Sequence, residues 1–147
     1  MADDWWGGRP VRHLLQRLFF EHFSDTSFVA EESGRLLAFL IGFRSQAHPH
    51  VAYIHFVGVE PSARNTGLGR RLYMEFFAKA LSLGCSQVQC ITSPVNAGSI
   101  AFHRRLGFTV VPSSTELDGI PVAQDYAGPG QARVLFRLSL ETKRGDA

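Results

Sequence analysis

Arg64, Gly67, Gly69 and Arg70 fall within seven residues in the stretch RNTGLGR, which runs without a linker into the amphipathic segment RLYMEFF. A turn that ends in a helix N-terminus presents unpaired backbone N–H groups beside the positive end of the helix dipole, an arrangement that attracts anions and phosphate above all. Glycines let the backbone approach such an anion closely, and two arginines add charge. Two common phosphate motifs do not fit. No Gly-Lys-Ser/Thr follows the glycines, and the position three after Gly69, where a dinucleotide fingerprint needs its third glycine, is Leu72. An isolated glycine pair commonly does no more than shape a tight turn, so the ligand must be inferred from the rest of the chain.

The elements that would position this turn are legible. VRHLLQRLFFEHF has Val11, Leu14, Leu15, Leu18, Phe19 and Phe23 at helical spacing and predicts a first helix. SFVAEE and GRLLAFLIGFRS predict a hairpin turning at Ser33 and Gly34. After a loop around His48, Pro49 and His50, an apolar strand starts at Val51 and is stopped by Pro61, which predicts a central strand. The segment Gly67 to Leu83 places Leu68, Leu72, Phe76, Ala80 and Leu83 on one stripe, with Gly84 where a C-terminal cap belongs. SQVQCIT predicts a strand, NAGSIAFHRRLGF a short helix closed by Gly107, FTVV a strand, and ARVLFRLSL a final strand. Between the last two, Pro112 to Gly130 reads as one long loop, of the kind more often functional than idle. ETKRGDA reads as a frayed tail.

Composition narrows the function. A chain of 147 residues, 45% hydrophobic and 19% charged, predicts one globular domain over 1–147. Fifteen Lys and Arg against thirteen Asp and Glu leave a net charge of +2, which supplies no broad field for nucleic acid or an anionic membrane. The apolar run LLAFLIGF is far shorter than the roughly 20 residues that span a bilayer, and MADDWWGGRP lacks the basic and apolar regions of a signal peptide. Cys85 and Cys90 are too close on one strand to pair, so both read as reduced core thiols, and the expected compartment is the cytoplasm.

With these features in place, the chain resembles the GNAT superfamily of acetyl-CoA-dependent N-acetyltransferases. The family pattern Gln/Arg-x-x-Gly-x-Gly/Ala is present as RNTGLG, preceded by the strand FVGVEP and followed by a helix, and SPVNAGSIAFHRRLGF is similar to the family's second signature. The likeness spans Phe28 to Leu140. It implies an α/β (α+β) fold with a mixed central sheet of about six strands flanked by helices. Because only about ten residues precede the first helix, it also implies that the usual N-terminal strand is missing. The domain would then be either truncated or repaired as a homodimer through Trp5 and Trp6. The resemblance further implies that the backbone of Val57, Gly58 and Val59 meets the pantetheine arm and the acetyl carbonyl. The N–H groups of Asn65, Thr66, Gly67, Leu68, Gly69 and Arg70, with the charges of Arg64 and Arg70, would hold the pyrophosphate, and Asn96, Ser99 and His103 would contact acetyl-CoA. Asn96 also reads as a plain helix N-cap, a role compatible with the first. No metal is implied.

Moving an acetyl group from a thioester to a primary amine requires a neutral amine, a stabilised oxyanion and a protonated leaving sulfur. An amine of pKa near 10 is only about 0.1% neutral at pH 7, a deficit of roughly 4 kcal/mol that a base or a desolvating pocket must offset. The resemblance implies that the base lies on the central strand. His55, expected to share a face with Val57 and Val59, is the first candidate, and Glu60, expected to be solvent-exposed beside Pro61, is the second. The family commonly has a tyrosine as general acid in the second signature, where this chain has His103; Tyr53, Tyr73 and Tyr126 are alternatives. The oxyanion would meet a strand N–H such as that of Val59. The acceptor is then a small-molecule amine, and the aromatic stretches FFEHF and AYIHF favour a hydrophobic or aromatic one. The alternatives are a catalytically idle acetyl-CoA sensor and a protein N-acetyltransferase.

Overall fold

The computed structural model describes residues 17–140. The readings that concern Val11 to Gln16, Trp5 and Trp6, the absent N-terminal strand with its subunit repair, and the ETKRGDA tail lie outside them. Of the expected first helix, α1 (Arg17–His22) is described. It leads through a short 3-10 turn, Ser24–Thr26, into the hairpin of β1 (Phe28–Glu32) and β2 (Arg35–Arg44). Ser33 at φ 52° and Gly34 at φ 77° close that hairpin in the two-residue, positive-φ turn that matches strand twist.

β2 is buried on both faces. Ala38 and Leu40 pack beneath helix α2 (Leu68–Ser82), while Phe39 and Ile41 pack on the opposite side with Phe19 of α1. The apolar stripe of α2 delivers Leu72, Tyr73, Phe76, Phe77 and Ala80 to the sheet, so its periodicity is satisfied by burial. β3 (Val51–Val59) follows β2 antiparallel, and β4 (Gln87–Thr92) lies parallel to β3. Helix α3 (Ala97–Arg105) then crosses to β5 (Thr109–Val110). The segment expected to be a plain loop carries a small hairpin of its own, β6 (Glu116–Leu117) and β7 (Ile120–Pro121), and β8 (Val134–Ser139) closes the main sheet. Val122, 3% exposed, anchors the hairpin segment in the core.

The six-stranded mixed sheet has the order β1-β2-β3-β4-β8-β5, in agreement with the expected architecture. Two irregularities shape its middle. The first is a β-bulge. Ile41 pairs with Phe56 and Gly42 with Ile54, so the register slips by one residue at His55, the bulged position of β3. Gly42 sits opposite the bulge beneath the Phe76 ring, and a Cβ built on it would lie 2.4 Å from that ring, so only glycine fits. The hydroxyl of Thr26 donates to the Gly42 carbonyl at 2.5 Å, pinning the bulged segment from the α1 side.

The second irregularity is a divergence. β3 and β4 are paired only at Val51 with Gln87, Ala52 with Val88 and Tyr53 with Gln89. Beyond that point β4 continues with β8 and β3 with β2, leaving a gap between the two central strands.

Candidate active site

A cavity of about 880 Å³ opens at this gap, between the end of β3, the mouth of α2 and one side of α3. One end of it is the glycine turn. Pro61–Ala63 form a 3-10 turn, after which Asn65 at φ 63° and Gly67 at φ 82° both adopt left-handed backbone. This reverses the chain and aims α2 at the cavity. Gly67 is the N-cap and offers no side-chain cap. The first ladder bond of α2 is Arg71 N–H to the Gly67 carbonyl, so the N–H groups of Leu68, Gly69 and Arg70 have no acceptor within the helix. A Cβ built on Gly69 would meet Val59 and Phe102 at ordinary contact distance, so the lack of a side chain there keeps the cavity floor open rather than relieving a clash. Arg64, Asn65 and Arg70 line the same end. Thr66 does not; its hydroxyl donates to the Ala63 carbonyl at 2.5 Å and so braces the turn from behind.

The strand wall is Val57, Gly58 and Val59. The Glu60 N–H donates to the Leu37 carbonyl of β2, and antiparallel pairing alternates along the strand, so the N–H and C=O groups of Val59 and Val57 turn away from β2 into the gap. The Arg64 Nε donates to the Val59 carbonyl at 3.2 Å, which ties the turn to this edge.

The third wall is α3. Asn96 caps it, its Oδ1 accepting from the Ser99 N–H at 3.0 Å, and Asn96 and Ser99 both border the cavity, so the capping and cavity-facing positions coincide. His103 is 7% exposed, stacked on Phe136 at 4.7 Å. Its Nδ1 lies 2.7 Å from the Ser99 carbonyl oxygen, which can only accept, so Nδ1 carries the proton. Nε2 is then an acceptor, and the Tyr73 hydroxyl donates to it at 2.8 Å. Burial lowers the His103 pKa below its usual 6.5, the Ser99 carbonyl opposing in part, while burial raises that of Tyr73 well above 10, with Cys90 adding to it. An imidazolium at His103, expected as the general acid, is therefore disfavoured; the ring is a neutral acceptor whose lone pair Tyr73 already occupies.

Two further expectations are corrected. His55 does not share a face with Val57 and Val59. Those two valines pack with the main core, whereas His55 stacks on Phe19 at 4.7 Å, because the bulge shifts the alternation by one residue. His55 does not line the cavity and sits across the sheet from α2, in a half-buried aromatic row with Phe19, Phe23, Phe43 and Tyr53. Glu60 is not solvent-exposed. Its side chain is 13% exposed and ion-paired with Arg35, and its Oε2 is buried. Tyr126, by contrast, is 51% exposed and outside the cavity.

Tyr73, Phe102 and Arg105 line the cavity without having been assigned to a cofactor site from sequence. The signal was present on α3: Gly98, Phe102 and Arg105 repeat at helical spacing beside Ser99, His103 and Leu106.

Residues 2–108 match the model of the acetyltransferase (GNAT) family. The chain is 30% identical over 97 residues to an L-2,4-diaminobutyric acid acetyltransferase of Halalkalibacterium halodurans, covering 66% of this chain and 50% of that protein. It is 31% identical over 101 residues to a mycothiol acetyltransferase of Pseudarthrobacter chlorophenolicus, covering 65% of this chain and 31% of that one. The chain thus spans half the length of the first relative and under a third of the second. In structure it is similar to yncA of Salmonella typhimurium, solved with its cofactor acetyl-CoA, at TM-score 0.58 and 22% identity, covering 82% of this chain and 68% of that one.

Proposed function

This chain belongs to the GNAT family of acetyltransferases, and from that premise we propose that it transfers the acetyl group of acetyl-CoA directly to a primary amine of a small, hydrophobic or aromatic molecule. The observation that carries this is the continuity of one cavity from the open amides of Leu68, Gly69 and Arg70 to the unpaired edge of β3 at Val57–Val59. A diphosphate at the first and a thioester at the second are what such a cavity would join. Its volume of about 880 Å³ falls within the range of about 300–1,000 Å³ usual for ligand sites. Arg64, Arg70 and Arg105 oppose the charge of a phosphorylated ligand, and outward N–H groups on β3 offer the oxyanion its donor.

The acceptor enters from the other face. His55 stands beside the strand gap with the row Phe19, Phe23, Phe43 and Tyr53, an apolar surface for an amine-bearing ring and one that disfavours the ammonium form. His55, an imidazole on this surface, takes the ammonium proton and releases it to solvent. Glu60, held by Arg35, shapes the strand end instead of serving as the base. The site works in the cytoplasm, where the free, buried Cys85 and Cys90 stay reduced.

The test is acetyl-CoA with a panel of arylalkylamines, aliphatic diamines, amino acids and peptides, read as release of the CoA thiol. Because both cysteines are buried, the native protein contributes little thiol background. Turnover highest with arylalkylamines is expected. Tight acetyl-CoA binding without turnover on any amine would instead establish an idle sensor, and turnover confined to peptides a protein acetyltransferase.

A further inference from the structure

The cavity holds a paired Tyr73 and His103 that no binding role explains. The geometry points to a proton shuttle, a step that presupposes the acetyl transfer proposed above, in which the Tyr73 hydroxyl is the catalytic group and His103 positions it and stores its proton. The two side chains come from different helices, α2 and α3, and meet at 2.8 Å at the bottom of the cavity. Both are nearly inaccessible, at 3% and 7%. Phe136 stacks on the imidazole, and Phe102 and Phe108 meet it edge-on, so neither ring has freedom to turn away. The Ser99 carbonyl fixes the proton on Nδ1 and thereby fixes the direction in which Tyr73 donates.

That direction determines what the pair can do. A neutral His103 with its Nε2 lone pair engaged cannot give a proton first; it must take one. Attack of the neutral amine on the thioester carbonyl forms the C–N bond, moves the carbonyl π electrons onto oxygen and leaves the nitrogen with a proton to lose. The Tyr73 oxygen accepts that proton as its own passes to Nε2, giving an imidazolium. As the oxyanion re-forms the carbonyl and the C–S bond breaks, the thiolate draws a proton from Tyr73, and Nε2 returns the stored proton to the phenol oxygen. Amide and CoA thiol result, and the pair ends as it began. Burial holds His103 neutral at rest and makes a free tyrosinate costly; it makes the imidazolium costly too, so the proton on Nε2 is held only transiently and is driven back to Tyr73. The titratable group acting on the pair is Cys90 of β4, through Tyr73; the cations Arg64, Arg70 and Arg105 line the same cavity, and the rings that β8 and the segment after α3 place against His103 are the apolar Phe136 and Phe108.

Three measurements test the shuttle. In ¹⁵N NMR of the ligand-free protein, His103 is expected with Nδ1 protonated and Nε2 as acceptor; an Nε2-protonated ring would overturn the proposal. With an accepted amine, Tyr73→Phe should lower kcat roughly 100-fold with KM for acetyl-CoA changed less than about threefold. His103→Gln separates storage from positioning, because a glutamine can accept the Tyr73 hydrogen bond but cannot hold a proton. It should lose rate as Tyr73→Phe does and lose the acidic limb of the kcat profile, which in the wild type follows the NMR titration of His103. Full rate in Tyr73→Phe, or wild-type rate and pH profile in His103→Gln, would sink the shuttle while leaving acetyl transfer standing; a wild type inert toward every amine refutes the transfer itself.

Discussion

Gly67→Ala isolates the backbone contribution to ligand binding. A Cβ at this position meets nothing within 4 Å, so the substitution introduces no clash and deletes no contact. What it changes is the cost of φ 82°, which a residue with a Cβ adopts at a penalty of about 1–2 kcal/mol. Arg64 to Gly67 are exposed whereas Leu68 and Gly69 are half-buried, so the turn can relax on its N-terminal side in the free protein, and the penalty then falls on the bound state, which needs the Leu68, Gly69 and Arg70 N–H groups aimed together. At 1.4 kcal/mol per tenfold, the dissociation constant for CoA should rise about 5- to 30-fold. Gly34→Ala is the matched control. Gly34 has φ 77° and equally open space, but it lies in the β1–β2 turn, where the flanking pair Glu32 with Arg35 locks the conformation. There the same penalty should appear as lost stability with CoA affinity unchanged. Isothermal titration with CoA and urea unfolding on both variants separate the two. Wild-type CoA affinity in Gly67→Ala would refute the role assigned to the turn.

Other variants bear on the scaffold. Gly42→Ala drives a methyl into Phe76 and should cost about 1–3 kcal/mol in urea unfolding, since the ring and the Tyr53 carbonyl at 2.9 Å leave it nowhere to go. Asn96→Ala removes the acceptor of the Ser99 N–H and should cost about 1 kcal/mol, with Asn96→Asp recovering most of it. His103 titrates below 6.5 in the folded protein, so between that lowered value and 6.5 the unfolded chain binds more protons than the native one. Stability should therefore rise with pH through this window and be lost as the pH falls through it. The wild-type advantage in Tm over His103→Gln should shrink below pH 6.5, and an advantage that grows on acidification would contradict the assignment of a neutral ring.

The turn, its helix and the sheet were legible because their signals are local. Left-handed glycines, a missing cap and a 3.6-residue apolar stripe act over a few residues each. The β6–β7 hairpin was also written in the sequence, as Asp118-Gly119 between short strand segments, a positive-φ pair at φ 52° and 78° hidden inside an apparent loop. The face of His55 was not legible. Nothing in VAYIHFVGV marks a bulge; the residue opposite it is Gly42, thirteen residues earlier on β2, which passes beneath Phe76 of α2. The burial of Glu60 likewise depends on Arg35, across the hairpin. Sequence named Tyr73 and His103 separately, but their pairing needs two helices thirty residues apart to converge.

The three rungs between β3 and β4 carry a mechanical consequence. Among the described residues they are the only strand rungs that join the half-sheet β1-β2-β3 to the half-sheet β4-β8-β5, and they lie at one end, where the His50 carbonyl also accepts from the Ser86 and Gln87 N–H groups, so the sheet is built like a peg hinged at residues 50–53. A pantetheine laid across the open end would act as a clasp. Amide exchange should then slow together in both halves on addition of CoA, including at β8, which lies beyond the cavity wall.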